Sequence, residues 1–381
     1  MSTQKITDAM IESVDASKLT GALPALSGAS LTNISGLVDT TNANDPTIST
    51  NPSAVGHVWL NSTSGEMYVS TDATAGANVW INVGTGEGNV KPFFGAGLIS
   101  GFSSGGSSPN TNVIDKFSLT SDADASDHGD LSVTRTGGAS GSSETHGYYA
   151  GGATGGGTTF SNVIDRFPFA SNSNAADVGN MTLAIGYSGG VFSTTHGYTL
   201  GGNTTGYGPG KNDTINKYAF SASNNATDMG NLTVARYNAS GQQSETHGYA
   251  SGGAEGPAVN VIDKFSFASG GNSTDVGDLQ ASYQGGHGHS TATYGFSVNG
   301  SGQVEKFSFA SDGNAVNHCS MFAAGNSGAS SSSSTHGYMS GGGASAPSLD
   351  MIQKYNFSSS SNGTDVANLT VGRYSPRGTQ Y

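Results

Sequence analysis

The chain has 381 residues, of which 34% are hydrophobic, only 11% are charged and 59 are glycine, and its formal net charge is −13. With 14 Lys and Arg in total, the composition excludes a nucleic-acid partner, because neutralising phosphates needs clustered basic residues. A single cysteine, Cys319, excludes an intrachain disulfide, and the sequence has no signal-peptide core and no apolar run long enough for membrane insertion. These features predict a soluble protein that is made in a cytoplasm and not exported by the ordinary secretory route.

The composition favours an all-β fold. Val, Ile, Phe and Tyr recur at regular intervals between glycines and small polar residues, whereas disordered chains are highly charged and poor in aromatics. We therefore expect short strands joined by many tight turns.

The first 89 residues differ from the rest. We predict a stalk that attaches to a virion over residues 1–45 and a small β-module over residues 46–89. The segments "VDASKLTGALPALSGASLTNISGL" and "GHVWLNSTSGEMYVSTDATAGANVWINVG" resemble the stalk and small β-modules of tailed-bacteriophage fibres, those of cyanophages in particular. The stalk's apolar residues are too sparse to form a core in one chain but would be buried if several chains wound together: Leu19, Leu23, Leu26, Leu31 and Ile34. The resemblance implies a homotrimer, and a monomeric tail is the alternative.

From residue 90 onwards, an octet beginning with "THGYYAGG" at Thr145 recurs. The glycine of "HGY" in this octet, or its equivalent in the less regular copies, stands at Gly97, Gly147, Gly197, Gly248, Gly295 and Gly337. A second element carries an acid or amide at Asp115, Asp165, Asn216, Asp263, Glu305 and Gln353. A third element, with an Asp-Val-Gly type turn, follows 12 residues later in every repeat, and the next octet glycine follows after 20 more. All length variation therefore falls between the first and second elements.

Each repeat predicts four strands. Strand a follows "VARY", strand b is "THGYASGG", strand c is "VIDKFSF" and strand d is "NLTVAR". Strand c alternates, with Asp263 and Phe265 on one face and Ile262 and Lys264 on the other, as in a sheet. A repeated four-stranded unit of this length is typical of a β-propeller blade.

The stretch "RYNASGQQSETHGYASGG…VIDKFSFASGGNSTDVGDL" resembles a kelch repeat, although the Trp of that pattern is missing. The resemblance implies a six-bladed kelch-like β-propeller over residues 90–381. The repeat length indicates that the C-terminal segment "RYSPRGTQY" supplies the strand a that the first blade lacks. This would place Tyr381 level with Phe93. We therefore expect the C-terminal strand to close the propeller, which removes a free sheet edge.

Histidine and arginine positions favour structural roles. We expect the octet histidines to pack or form hydrogen bonds, since equivalent positions on different blades cannot converge on one metal ion. His287 and His289 form an H-x-H pair, a weak metal candidate; we predict no cofactor. Arg135, Arg236 and Arg373 are expected to pair across blades.

Antiparallel strands place the d–a and b–c connections on one face of the disc, away from the stalk. Because the b–c connection varies in length, this face is where we expect recognition. The candidate ligand-binding residues are Tyr187, Tyr207, Tyr237, Tyr283, Tyr374, Phe160, Asn203 and Asn212. Aromatic faces beside polar groups suit sugars, and packing between blades is the alternative role of the tyrosines.

We therefore expect a tail fibre or receptor-binding protein located in the virion. Its N-terminus would contact other tail or baseplate proteins, and its propeller would bind host-surface polysaccharide. A structural virion protein, such as a head fibre or decoration, is the first alternative. A glycan-degrading enzyme is the second, but no catalytic motif is present, so we predict no enzymatic activity.

Overall fold

The computed structural model describes residues 38–83, 92–154, 157, 159–205, 210–325, 327–343 and 349–381. The chain divides into two compact units, Met1–Pro92 and Phe93–Tyr381. Every regular element in the described residues is a strand, so the all-β prediction is confirmed for them. Those residues contain no helix long and apolar enough to span a membrane. The predicted stalk residues up to 37 lie outside the described part.

The first unit holds one four-stranded sheet. Its strands, in sheet order, are β1 (Thr40–Asn42), β2 (Val58–Asn61), β3 (Met67–Asp72) and β4 (Val79–Asn82). β1 runs parallel to β2, and the other pairs are antiparallel. Trp59, Tyr68 and Trp80 form its small core. β1 lies within the segment predicted as stalk, so the sheet starts earlier than the predicted module.

The second unit is built from four-stranded antiparallel sheets. Its strands are β5 (Ser100–Ser104), β6 (Val113–Ser118), β7 (Ser126–Asp130), β8 (Ala139–Ser142), β9 (His146–Ala150), β10 (Ala153–Thr154), β11 (Thr159–Phe160), β12 (Val163–Pro168), β13 (Ala176–Asn180), β14 (Gly189–Phe192), β15 (His196–Asn203), β16 (Lys211–Ala219), β17 (Thr227–Asn231), β18 (Ser240–Gln243), β19 (His247–Ser251), β20 (Val261–Ser266), β21 (Thr274–Asp278), β22 (His287–Ser290), β23 (Tyr294–Val298), β24 (Gln303–Ser308), β25 (Val316–Ser320), β26 (Ala329–Ser332), β27 (His336–Ser340), β28 (Met351–Asn356), β29 (Thr364–Asn368) and β30 (Arg377–Gln380).

Each sheet takes its four strands in the order a, b, c, d. We number them sheet 1 (β30-β5-β6-β7), sheet 2 (β8-β9-β12-β13), sheet 3 (β14 to β17), sheet 4 (β18 to β21), sheet 5 (β22 to β25) and sheet 6 (β26 to β29). β10 and β11 form a separate hairpin between b and c of sheet 2. The arrangement is β-propeller-like. Sheet 1 takes its strand a from the C-terminal segment, as predicted, with Gln380 opposite Gly101.

The core lies between consecutive sheets. Strand c alternates as predicted, since Phe265 packs with Tyr198 of sheet 3 while Ile262 packs with Phe307 of sheet 5. Equivalent buried clusters join sheets 1 and 2, 2 and 3, 5 and 6, and 6 and 1. Each sheet of the second unit therefore packs against a neighbouring sheet on both of its faces.

Two predictions about register are wrong. In the first repeat, Gly101 rather than Gly97 occupies the octet position, because Gly101 pairs with Gln380 and Phe117 as Gly248 pairs with Gln243 and Phe265. Tyr381 consequently lies beside Ser100 rather than level with Phe93, and its carbonyl accepts hydrogen bonds from the N–H groups of residues 98–100.

Strand d also lies upstream of its predicted position. In sheet 4 it is β21, which contains the Asp-Val-Gly stretch itself, and "NLTVAR" in sheet 3 begins where β17 ends. The pairing slips by one residue between Ile262 and Asp263, so Val276 is an extra residue in a β-bulge. The same bulge forms in sheets 5 and 6, where Cys319 and Ala367 replace the glycine, so the stretch is a bulge within strand d and not the predicted turn.

The inner strands approach one another closely around an axis. β8, β14, β18, β22, β26 and β30 contact each other in sequence, and β30 contacts β8. Small residues occupy the second position of these strands because a Cβ at Gly288 would overlap the carbonyl oxygen of Gly241, and one at Gly378 would overlap that of Ser330.

A ring of backbone hydrogen bonds links the d–a connections. One residue of each connection has a left-handed φ of 53° to 72°: Gly137, Tyr187, Asn238, Gly285, Ser327 and Ser375. The N–H of each donates to the carbonyl of its equivalent one sheet earlier, at 2.5 to 3.2 Å, and Gly137 donates to Ser375. The series of six bonds therefore returns to its starting residue.

Candidate functional site

The strand order defines two faces of the second unit. Because the sheets are antiparallel, the d–a and b–c connections share one face, which we call the d–a face, and the a–b and c–d connections share the a–b face. The chain enters at the a–b face: Gly97 N–H donates to Ser332 O at 2.7 Å, and Gln380 Nε2 donates to Gly95 O at 2.8 Å. The variable connections thus lie opposite the entry point.

The d–a face is not six-fold symmetric. In sheet 2 the b–c connection forms the β10–β11 hairpin, and in sheet 3 the long strands β15 and β16 continue their pairing to Asn203 and Lys211. In sheet 5 the same connection is a tight turn, closed by the Asn299 N–H donating to Gln303 O at 2.9 Å. The taller connections therefore stand over sheets 2 and 3.

A cavity of about 310 Å³ opens on this face beside sheets 1 and 2. Tyr187 and Tyr374 line it, so the structure brings together two of the predicted ligand-binding residues. Its small polar residues come from the b–c connections of sheets 1 and 2 and the d–a connection between them: Ser107, Ser108, Asn110, Thr134, Thr136 and Thr154. Hydroxyl and amide groups beside aromatic rings are the groups that bind sugars.

The cavity walls are held by backbone pairing. Ser107 and Tyr374 exchange two backbone hydrogen bonds of 2.8 and 2.7 Å, and Thr136 Oγ1 donates to Ser375 O at 3.2 Å. Tyr374 keeps part of its side chain exposed, and its hydroxyl accepts a hydrogen bond from Ser327 Oγ at 3.3 Å. Tyr374 is therefore the positioned aromatic residue of this cavity that a ligand can reach.

Aromatic packing explains the other residues near the cavity. Tyr187 and Tyr237 are only 5% and 8% exposed and form a buried cluster with Ala153 and Ala254. The ring of Phe160, which is partly buried, meets that of Tyr187 edge-on at 6.1 Å. These side chains mainly fill space between connections, which is the alternative role that the sequence left open for the tyrosines.

The remaining predicted site residues do not join this cavity. Tyr283 is buried against sheet 5, where its hydroxyl donates to Ser297 Oγ, and Asn203 is fully buried. Burial puts Asn203 out of a ligand's reach, which corrects that prediction, and Tyr283 does not line the cavity. Asn212 is partly buried and accepts a hydrogen bond from Thr214 N–H at 2.7 Å. Tyr207 lies outside the described residues.

The octet histidines form local hydrogen bonds. In each, Nδ1 lies 2.8 Å from the hydroxyl of the preceding threonine, as in the pair of Thr145 and His146. Burial lowers the pKa of each imidazole, and a neighbouring Lys or Arg lowers it further: His146, His196, His247 and His336. No group of metal-ligating side chains converges in the part of the chain that the structure describes.

His287 and His289 are buried on β22, each with protein partners. His289 Nε2 lies 2.8 Å from Tyr338 O, and Tyr355 Oη lies 3.1 Å from His289 Nδ1. Burial lowers the pKa of His287 to about 3 and that of His289 to about 4, so both are neutral near pH 7. The pair that the sequence offered as a weak metal candidate serves to join sheets 5 and 6.

The recurring arginines are buried in ion pairs, as predicted. Arg236 lies 3.0 Å from Asp263 with both side chains fully buried, and Arg135 pairs with Asp165 in the same way. Arg373 pairs with Asp115, which joins the last d–a connection to sheet 1. A buried charge needs such a partner, and these pairs fix the connections that carry the cavity.

Sheet 5 departs from this pattern. Tyr283 stands where three other repeats have arginine, yet the acidic position is still occupied by Glu305. Glu305 is fully buried, its Oε2 accepts the Gln280 N–H at 2.8 Å, and its Oε1 has no partner among the described residues. Burial raises the pKa of this carboxyl.

Sequence reasoning missed the contribution of sheet 1 to the cavity. Ser107, Ser108 and Asn110 follow the Gly105–Gly106 pair, which matches Gly151–Gly152 in sheet 2, and both pairs have positive φ. Aligning the repeats on this glycine pair would have placed "SSPN" in a variable connection of the d–a face. No protein-family model matches the chain, and no curated protein gives a significant match.

Proposed function

We propose that residues 93–381 form a six-bladed, kelch-like β-propeller closed by its C-terminal strand, with each sheet as one blade. The cyclic series of d–a hydrogen bonds and the packing of sheet 6 on sheet 1 support this count. A second cyclic series supports it at the periphery. There, a side-chain oxygen in each c–d connection accepts the N–H that ends strand d of the preceding sheet, as Asn272 does for Asn231 at 3.0 Å and Asp124 for Asn368 at 2.9 Å.

We propose further that the protein is a virion fibre or receptor-binding protein that binds host-surface glycan through the d–a face. The cavity lined by Tyr187 and Tyr374 carries this proposal. Its volume suits one sugar residue, since ligand sites typically measure about 300–1,000 Å³. An exposed part of an aromatic ring packs on the C–H patch of a sugar, while the surrounding hydroxyls bond to those of the ligand.

The N-terminal unit would place that face away from the particle. In this proposal residues 1–45 attach to other tail or baseplate proteins and the chain forms a homotrimer. The propeller then presents its d–a face to the host, because the chain enters at the a–b face. Three linked copies raise the avidity of individually weak sugar contacts.

The test measures binding of the purified, labelled full chain to host cells and to their extracted polysaccharide. We expect Tyr374→Ala to lose at least about tenfold in affinity, the scale of one lost stacking contact. The control is Tyr294→Ala, a 39% exposed tyrosine at the start of β23 on the a–b face, which should bind like the wild type. Equal loss in both variants would contradict the site.

Two outcomes of this test would each support one of the alternative functions. No binding to host cells, with the protein found on the particle away from the tail tip, would indicate a head fibre or decoration protein. Release of reducing ends from the polysaccharide would assign a glycan-degrading enzyme. We propose binding without cleavage.

A further inference from the structure

A second cavity, of about 70 Å³, lies between the inner strands on the axis of the second unit. Four of its polar residues start a strand a or directly precede one: Ser188, Ser240, His287 and Arg377. Ser240, His287 and Arg377 occupy equivalent positions of their strands, and Ser188 directly precedes that position in its own strand. All four therefore lie at the end of the inner strands next to the d–a face. They come from sheets 3, 4, 5 and 1 respectively.

Arg377 has no acidic partner among the residues that the structure describes. Its side chain is partly buried, its Nε donates to Gly138 O and its Nη1 donates to Pro376 O at 3.0 Å. The pairs formed by Arg135, Arg236 and Arg373 show how this protein otherwise compensates an enclosed guanidinium. The partly buried guanidinium of Arg377 lacks such a carboxylate and can therefore bind an anion that enters the cavity.

Two hydroxyls of the same cavity also lack partners. Ser188 and Ser240 are 1% and 2% exposed, and neither Oγ forms a hydrogen bond within the described residues. The position of Ser240 is alanine in sheets 2 and 6, at Ala139 and Ala329, so packing does not demand a hydroxyl there. Unpartnered buried hydroxyls are rare because each loses its hydrogen bonds to water.

His287 offers a further donor to this cavity. Its Nε2 accepts the Gly328 N–H at 3.1 Å and lies 3.4 Å from Gly325 O. When Nε2 accepts from Gly328, the neutral imidazole carries its proton on Nδ1, and that N–H is the donor it offers to the cavity. Arg377 contributes to the lowered pKa of His287, which shows that the two side chains share one electrostatic environment.

We propose that the d–a end of the axial cavity binds one small oxyanion, held by Arg377, His287, Ser188 and Ser240. All four side chains offer donors, and no Asp or Glu is among the described residues that line the cavity. Its volume admits a sulfate, phosphate or carboxylate group but not a sugar ring. The group is either a free ion or the anionic substituent of a larger ligand that enters from the d–a face. This inference does not depend on the proposed glycan site.

The test uses the full chain and inorganic sulfate, with sodium chloride as the control at matched ionic strength. We expect a saturable rise in Tm with sulfate, since a ligand that binds only the folded state stabilises it by mass action. Arg377→Gln should weaken the sulfate affinity at least tenfold. Lys116→Gln removes one positive charge from β6, outside the cavity lining, and should leave the affinity unchanged.

Ser240→Ala protects the test against misfolding of the arginine variant. Without sulfate, this variant should have the same Tm as the wild type, because alanine already stands at this position in two sheets. It should bind sulfate several-fold more weakly than the wild type. A sulfate effect that does not saturate, or that is equal in all variants, would be a general salt effect and would overturn the proposal. So would a selenate soak in which no anomalous peak lies beside Arg377.

A sulfated monosaccharide separates the two sources of the anion. If it binds as tightly as inorganic sulfate, the site accepts a substituent of a larger ligand. If only inorganic sulfate binds, the site holds a free ion. If Tyr374→Ala binds sulfate as tightly as the wild type, the oxyanion site is supported independently of the proposed glycan site.

Discussion

Gly288→Ala is the sharpest test of how the second unit packs around its axis. The new Cβ would lie 2.7 Å from the carbonyl carbon of Gly241 and 3.0 Å from Gln242 Nε2, and would overlap the Gly241 oxygen. Non-bonded carbon atoms prefer about 3.5–4.0 Å, so β22 must move by roughly 1 Å from β18. Both strands are fixed by their own sheets, and the clash is with backbone rather than with a flexible side chain.

We expect this substitution to lower the free energy of unfolding by about 3 kcal/mol, the upper part of the range for overpacking. Ser330→Ala is the matched control, since position 330 is the second residue of β26 and already carries a Cβ. It should change stability by no more than about 0.5 kcal/mol. Urea unfolding followed by far-UV circular dichroism measures both, because Trp59 and Trp80 lie in the other unit and do not report on this one. Equal midpoints for the two variants would refute the close approach of the inner strands.

Two further predictions concern the repeated acidic position. Arg236→Ile leaves Asp263 buried without its cationic partner and should lower the free energy of unfolding by about 3–5 kcal/mol. Adding Asp263→Asn recreates the pair of Ile185 and Asn216 in sheet 3 and should recover most of this loss in urea unfolding. A double variant as unstable as the single one would contradict this account. Burial raises the pKa of Glu305 in the folded state above its unfolded value, so the folded state binds more protons between the two values and stability falls as pH rises through that window. Glu305→Gln should remove this fall. The unfolding midpoint of the variant should therefore equal that of the wild type at low pH and exceed it at neutral pH. Parallel curves of midpoint against pH for the two proteins would disprove the effect.

Spacing alone predicted the repeated unit and much of its pairing. Elements 12 residues apart are neighbouring strands of one sheet, elements 20 residues apart belong to successive sheets, and the same arithmetic placed β30 beside β5. Such intervals are informative because a sheet that packs between two others tolerates no change in length along its fixed connections. Arg236 and Asp263 were predictable for a related reason, since a charge recurring in a core-forming repeat needs a partner.

The first repeat shows where the sequence misleads. Gly97 and Gly101 both precede apolar residues, and the pattern of small residues does not distinguish them. The pair Gly105–Gly106 does, because its positive φ ties it to one position of the fold. The position of this glycine pair therefore aligns the repeats more reliably than the similarity of their octet sequences does.

The loop tyrosines could not be placed from sequence. Tyr187 and Tyr374 both lie in d–a connections, yet Tyr187 occupies the left-handed ring position and is nearly buried, whereas Tyr374 precedes that position and stays partly exposed. One residue along an irregular connection reverses the direction of a side chain. No periodicity exists there from which that direction could be predicted.

The pairing of β30 with β5 also affects how this protein is made. Gln380 Nε2 contacts Gly95 O across 285 residues of chain. A ribosome that adds about 5–20 residues per second exposes β5 for many seconds before its inner partner exists. During that interval an unpaired edge of β5 is open to strands from neighbouring nascent chains. Slow translation, or crowding of several chains on one message, should therefore lower the soluble yield more than it would for a protein whose sheets are each completed locally.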